Sequence, residues 1–490
     1  MLRPTRSLTL LTLIGIAGCA PSFDAPPFEE TTPDPGPSRA VGVDILSVTL
    51  SQAVAISLVQ NGGELEELAA PIIEGRAAQI RVGVAVETPF EAREIRADLL
   101  VVTDEGKELL LSETEEIAGS SDLADEETTF DFVLEPEVLA PGLRLGVTLW
   151  ETTGAPEGDS DGSAWPDLGT RAIPVESGGG TLRVELIPVR YDFDGSGRLP
   201  DVSSEQLGLI RDYLERLYPV RSLELTVGEE YATDVEINRD GEGIGEVLSV
   251  LRDVRDDRAI PWDVYVHALV QPRDTWEEFC ALGCTAGVAY RVANPSNSTL
   301  KVGIGVGFTG ERAASVLAHE IGHQHDRGHA PCGGADNVDP GFPYLDGGIG
   351  VEGWDILSGV RVDPVDTADV MAYCSPEWVS DYTFEALHRR LAAIAGLQDD
   401  HAARATAEPW LSLAVAPDGA VRFERRHVLP FIPEGEVVAV ELLDMLGQVV
   451  DEVEGSFLAF QDVQGGTLVV PDPGEQVVAV RLSGQLVPLD

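Results

Sequence analysis

Lysine is nearly missing from this chain: Lys107 and Lys301 are the two in 490 residues, and arginine supplies the other cations. Against 84 acidic side chains, 33 Lys and Arg leave a formal net charge of −51. Such a surface repels nucleic acid and anionic bilayers, so neither is expected as a partner. Cysteine is limited to five, none of them between Cys19 and Cys280. Methionine occurs three times and histidine eight times. The apolar run Leu8 to Ile16 is too short to span a bilayer, and no internal repeat of fixed period emerges.

What is present begins with an export pattern. Arg3 and Arg6 precede that apolar run, which ends in Ile16-Ala17-Gly18-Cys19 and resembles the lipobox of bacterial lipoproteins. The resemblance implies a signal peptide over 1–18, lipidation of Cys19, and an exported lipoprotein at the outer membrane or cell surface. Residues 19–40, rich in proline and acidic residues, suit an extended tether that leaves the lipid as the contact with the membrane. Cys280, Cys284, Cys332 and Cys374 remain, an even number in an oxidising setting. Three pairings are open; Cys280–Cys284 with Cys332–Cys374 is favoured, which ties the segment after His329 to the segment around Met371.

Four of the eight histidines fall within residues 319–329, His-Glu-Ile-Gly-His-Gln-His-Asp-Arg-Gly-His. On a helix His319 and His323 project from one face, four residues apart, toward one ion. Glu320 points beside that ion, where it can hold and deprotonate water. His329 lies far enough along to fold back as a third ligand, and three neutral nitrogens leave a fourth zinc position open. His325, on another helical face, reads as a neighbour of the ligands or a surface residue.

The segment resembles the extended zinc motif of the metzincin clan of metallopeptidases, with Asp326 where that motif has glycine. Aspartate tolerates a left-handed backbone, so the sharp turn stays possible, and Gly328 could share it. Asp369-Val370-Met371-Ala372-Tyr373-Cys374 is similar to the clan's methionine turn. The resemblance implies that Met371 forms a soft base beneath the histidines and that Tyr373 reaches the metal or the tetrahedral intermediate. A thiol ahead of residue 280 cannot serve as an inhibitory ligand, because that region has no cysteine after Cys19.

Period-two runs such as Ile45 to Leu50 and Leu143 to Leu149, between turn residues, predict a β-sandwich over 41–178, and Gly178-Gly179-Gly180 marks a hinge. Strand and helix patterns alternate from Leu182. Ser203 with Gln206 caps a first helix, Thr309 caps the zinc helix, and Ser380 or Asp381 caps a last one. The expected fold is multidomain α+β: a metzincin-like catalytic domain over 181–400, flanked by that sandwich and by a sandwich-like all-β domain over 405–490.

The expected function is zinc-dependent hydrolysis of peptide bonds in extracellular or surface proteins. Zn2+ on His319, His323 and His329 would acidify water, Glu320 would move its proton, and Tyr373 would steady the oxyanion. Within the zincins, Glu352 or Asp355 is an alternative third ligand. From another class, the chain could be a surface lipoprotein whose β domains bind protein or glycan over a structural or inactive zinc. Calcium is a further candidate at Asp192-Phe193-Asp194-Gly195, which opens like a calcium loop but carries Ser203 where the closing glutamate belongs.

Overall fold

A computed structural model describes residues 38–154, 156–177, 180–397, 408–429, 433 and 435–489. The signal stretch, Cys19, nearly all of the tether and Gly178-Gly179 lie outside the described residues. Among those described, no helix is long and apolar enough to cross a membrane.

Two antiparallel sheets build the N-terminal region. One contains Val43–Ser51, Ala53–Gln60, Ala78–Val86 and Phe130–Leu134; the other contains Arg93–Val102, Glu108–Ile117 and Arg144–Glu151. Along Arg93–Val102 every second side chain turns inward, so Ile95, Ala97, Leu99 and Val101 are buried against Val43, Ile45 and Val82 of the facing sheet.

The central unit is built on parallel strands ordered Ser222–Val227, Thr181–Tyr191, Val264–Val270, Val302–Val306, with Gly287–Ala289 antiparallel at the edge. Val264–Val270 and Val302–Val306 are buried throughout, as strands covered on both faces must be. Helix Ser204–Leu217 contributes Ile210, Leu214 and Leu217 to one core, and helix Ile244–Asp257 contributes Val247, Leu248 and Leu251 to the other. Glycine alternation in Val302–Val306 sets how closely the site helix, Glu311–Gln324, can approach. A Cβ on Gly303 would stand 2.7 Å from Gln324 Nε2, and one on Gly305 would stand 2.8 Å from Val316 Cγ1.

The helix starts differ in part from the sequence pattern. The Ser203 hydroxyl accepts from the Gln206 backbone N–H at 3.3 Å, but the Gln206 side chain turns away to brace the backbone of Gly310. Gly310 occupies the N-cap of the site helix; Thr309 instead donates to Asp201, at 3.0 Å. Ser380 caps helix Asp381–Leu397 through the Thr383 N–H.

The C-terminal region is one seven-stranded antiparallel sheet rather than two packed layers. Its outer strands, Val421–Leu429 and Gln485–Pro488, curl toward each other, and Gln485 donates to the Val421 carbonyl at 3.2 Å. Bulges at Ser412/Leu413 and Leu442/Leu443 increase the twist that closes it. Alternating strands carry the same period in a sandwich and in a curled sheet, which is why sequence pattern does not separate them.

Candidate metal centre

The site forms where the second half of helix Glu311–Gln324 meets two loops. His319 and His323 share the inner helical face, and His329 folds back after a turn in which Asp326 is left-handed, at φ +67°. The Asp326 carboxylate is held by Arg291 Nε at 2.7 Å, and Gly328 is not left-handed. Each ring is oriented by a carbonyl accepting from Nδ1: Val370 for His319 (2.8 Å), Arg327 for His323 (2.8 Å), and Asp336 for His329. With Nδ1 protonated, every Nε2 must present a lone pair.

Those three lone pairs face one another. His323 Nε2 lies 3.1 Å from both His319 Nε2 and His329 Nε2. Acceptors so placed repel unless a cation lies between them. A tetrahedral zinc with Zn–N near 2.0–2.1 Å would set such edges at about 3.3 Å. The donor set therefore fits the ion.

A fourth donor arrives from the C-terminal sheet. Asp462 Oδ1 lies 3.1 Å from His329 Nε2 and 3.7 Å from His319 Nε2, and Oδ2 lies 3.4 Å from His323 Nε2. The ligand atoms of these four residues lie within 4.8 Å of one another. Sequence reasoning missed Asp462. It follows His329 by 133 positions in a turn with no ligand pattern, so no local signal marks it.

Supporting residues surround this cluster. Met371 is buried against the site helix at Gly322, where any side chain would collide with its sulfur. The turn bearing it is shaped by buried Asp369, which accepts from the N–H groups of Met371 (2.8 Å) and Ser380 (2.9 Å). Cys332–Cys374 and Cys280–Cys284 are disulfides; the first ties the chain after His329 to the end of that turn. The Tyr373 hydroxyl donates to Asp462 at 2.6 Å and stands 3.3 Å from His329 Nε2. Glu320 is buried with Oε2 unpartnered among the described residues, and its other oxygen packs on Gly287 of the edge strand.

Electrostatics follow from this crowding. Burial and the Asp462 charge hold the Glu320 carboxyl well above its ordinary range. Burial pulls His323 down to about 4; at His319 burial acts the same way but the facing Asp462 carboxylate outweighs it, for a net rise. Burial opposes ionisation of Asp462, and the imidazoles facing it more than reverse that, holding it well below the carboxylate range.

The other candidates lie elsewhere. His325 is neither a surface residue nor in the cluster: it is buried, stacks on Tyr265 with ring centroids 4.4 Å apart, and donates to the Ile321 carbonyl. Glu352 pairs with Arg81 at 2.6 Å and with Arg361, while Asp355 accepts from Leu357 N–H and the Ser358 hydroxyl. Neither belongs to the histidine cluster. At the calcium-like loop, Asp192 pairs with Arg190 at 3.0 Å and Asp194 with Arg198. Guanidinium groups there hold the carboxylates that an ion would need.

A cavity of about 300 Å³ lies over the cluster, lined by Gly287, Val316, His319, Glu320, Tyr373 and Asp462. It shares Val316, Tyr373 and Glu377 with a larger cleft of about 670 Å³ that extends past Tyr213, Trp276 and Arg312.

No protein-family model matches this chain, and neither does any curated protein. Among solved structures, a calcium-binding mutant of Bacteroides uniformis β-glucuronidase 2 is similar at 10% identity, over 49% of this chain and 31% of that one, with a TM-score of 0.16. A putative β-galactosidase from Bacteroides fragilis is similar at 11% identity, over 47% and 39%, with a TM-score of 0.15. The chain thus spans well under half of either, and a superposition this poor carries no argument about fold or activity.

Proposed function

We propose that the chain is a zinc endopeptidase of metzincin type, exported as a lipoprotein through Cys19 to the outer membrane or cell surface, acting on protein or peptide substrates there. The observation that carries this reading is the convergence of three carbonyl-oriented imidazoles beside a buried carboxylate, Glu320, whose Oε2 has no hydrogen-bond partner among the described residues. A purely structural metal site has no use for such a base.

His319, His323 and His329 would hold the ion, which when bound supplies Lewis acidity to water and to a carbonyl. Glu320 accepts the proton of the attacking water and passes it to the leaving amine. The Tyr373 hydroxyl donates to the oxygen that gains charge as the carbonyl is attacked. An extended substrate pairs with the free side of the antiparallel edge strand Gly287–Ala289, leaving one flanking side chain for the cleft at Trp276 and Arg312.

A second reading is favoured by one observation. Asp462 completes a four-donor set, which a structural zinc would also use. Because Asp462 faces the imidazoles, the test is made in the Asp462→Ala chain, loaded with zinc and mixed with a secreted and surface proteome. New amino termini are expected, and adding Glu320→Ala should lower their rate of appearance by about 10²–10⁴ with zinc content unchanged. Cleavage that persists at full rate without Glu320 would remove the carboxylate from its role, and no cleavage by the zinc-loaded Asp462→Ala chain would favour the structural site.

A further inference from the structure

We infer that the C-terminal sheet is a built-in inhibitor of the metal centre, with Asp462 as a plug that must withdraw before substrate can enter. This rests on the peptidase reading and concerns how the same site is regulated.

Two observations carry it independently. The first is at the ion position: Asp462 lies 3.1–3.7 Å from all three Nε2 atoms, on the side that the histidines leave open. It also accepts from Tyr373, so one carboxylate engages both the ligand set and the hydroxyl proposed for the oxyanion. Water and a scissile carbonyl need that same space.

The second is at the edge strand. Residue Tyr290, directly beyond Gly287–Ala289, forms an isolated antiparallel bridge with Phe460. Phe460 therefore sits beside the end of the free edge, Gln461 and Asp462 follow in a bend, and the Gln461 carbonyl accepts from Asn337 at 3.2 Å. The bend carries a carboxylate side chain to the place where a substrate would offer a peptide carbonyl. A segment seated this way crowds the end of the edge strand and covers the position that the three imidazoles face.

The plug is braced rather than loose. Phe460 is buried with its ring 5.3 Å from Tyr290, and the Tyr290 hydroxyl bonds Thr467 at 3.0 Å. Val463 packs over Gly241 at the approach to helix Ile244–Asp257. Withdrawal therefore requires displacement of the sheet or cutting of its turn, not a side-chain rotation.

The test uses the full chain with cobalt(II) in place of zinc, wild type beside Asp462→Ala and Asp462→Asn, and acetohydroxamate as the probe. In wild type the visible spectrum should not respond to acetohydroxamate. In Asp462→Ala it should respond, with metal retained and peptide turnover in the zinc form at least about 100-fold above wild type; Asp462→Asn, nearly the same shape, controls for folding. Equal response and equal turnover in wild type and Asp462→Ala would overturn the plug and leave the peptidase standing. Loss of metal from both variants would make Asp462 a structural ligand and overturn the plug. A response confined to the variants without any peptide cleavage would support the plug and overturn the peptidase.

Discussion

The N-terminal β region joins the central unit through its backbone, whereas the C-terminal sheet meets it largely through side chains. Gly353–Trp354, from the segment between His329 and the methionine turn, pairs antiparallel with Val54 and Ala53, and Ala55 N–H donates to the Glu352 carbonyl at 2.9 Å. Arg76 reaches across from the N-terminal region to the end of helix Ser204–Leu217, donating to the carbonyls of Arg216 (2.8 Å) and Tyr218 (3.0 Å). On the other side, one bridge at Tyr290–Phe460 is joined by an apolar patch of Trp410, Leu458 and Phe460 and by ion pairs at Arg252 and Arg425. A region woven into a shared sheet cannot leave without exposing backbone donors and acceptors. A region seated on side chains can. The difference argues that the N-terminal region is a permanent part of the molecule and that the C-terminal sheet is the removable one.

The largest test of that contrast uses the disulfides. Cys332–Cys374 closes a loop of sequence separation 42 that contains Gly353–Trp354, so it secures the N-terminal joint and the histidine cluster together. Chain-entropy arguments give its removal a cost of about 4 kcal/mol, against about 2 kcal/mol for Cys280–Cys284, whose separation is 4. Replacing each pair by serine and following urea unfolding should reproduce that order, with weaker zinc retention only for Cys332 and Cys374. Equal costs would mean that the long loop is held by other contacts.

Next comes Arg76→Ala. The guanidinium is buried, and burial lowers its pKa to about 9. Truncation strands the carbonyls of Gln52, Arg216 and Tyr218. A net loss of about 3 kcal/mol is expected, after allowing for the relief of burying a charge. The measurement is again urea unfolding, and the acetohydroxamate response should stay as in wild type. If Arg76→Ala opened the metal site instead, the N-terminal region would be the lock and the contrast would reverse.

What the sequence discloses divides along the same line. His319, Glu320 and His323 follow one another on a single helix, so helix periodicity brings two ligands and the base together, while His329 depends on the left-handed turn at Asp326. Strand alternation likewise marks the N-terminal sheets, and the all-buried runs mark the parallel strands. The Gly303 and Gly305 alternation is visible too, but its meaning appears only once the site helix lies on it. Asp462 and the bracing of Gln206 on Gly310 depend on contacts across more than 100 positions, and no local pattern encodes them. Threonine before a helix usually caps it, which is why the sequence points to Thr309; here Asp201 competes for its hydroxyl.

The smallest expected effect is the most discriminating. Arg252 is 1% exposed, pairs with Glu424 of the C-terminal sheet at 3.0 Å, and donates to Thr467 at 3.2 Å. In Arg252→Met the apolar stem is kept, and Glu424, whose side chain is 10% exposed, loses its buried partner. The penalty of about 2 kcal/mol falls below that of breaking a fully buried pair and applies only while the sheet is docked. It therefore weakens docking by roughly 30-fold without touching the ligands or Glu320. Acetohydroxamate should reach the cobalt(II) form of this variant more readily than wild type, with the unfolding midpoint of the central unit little changed. A fall in global stability with no gain in probe access would show that the C-terminal sheet is as integral as the N-terminal one.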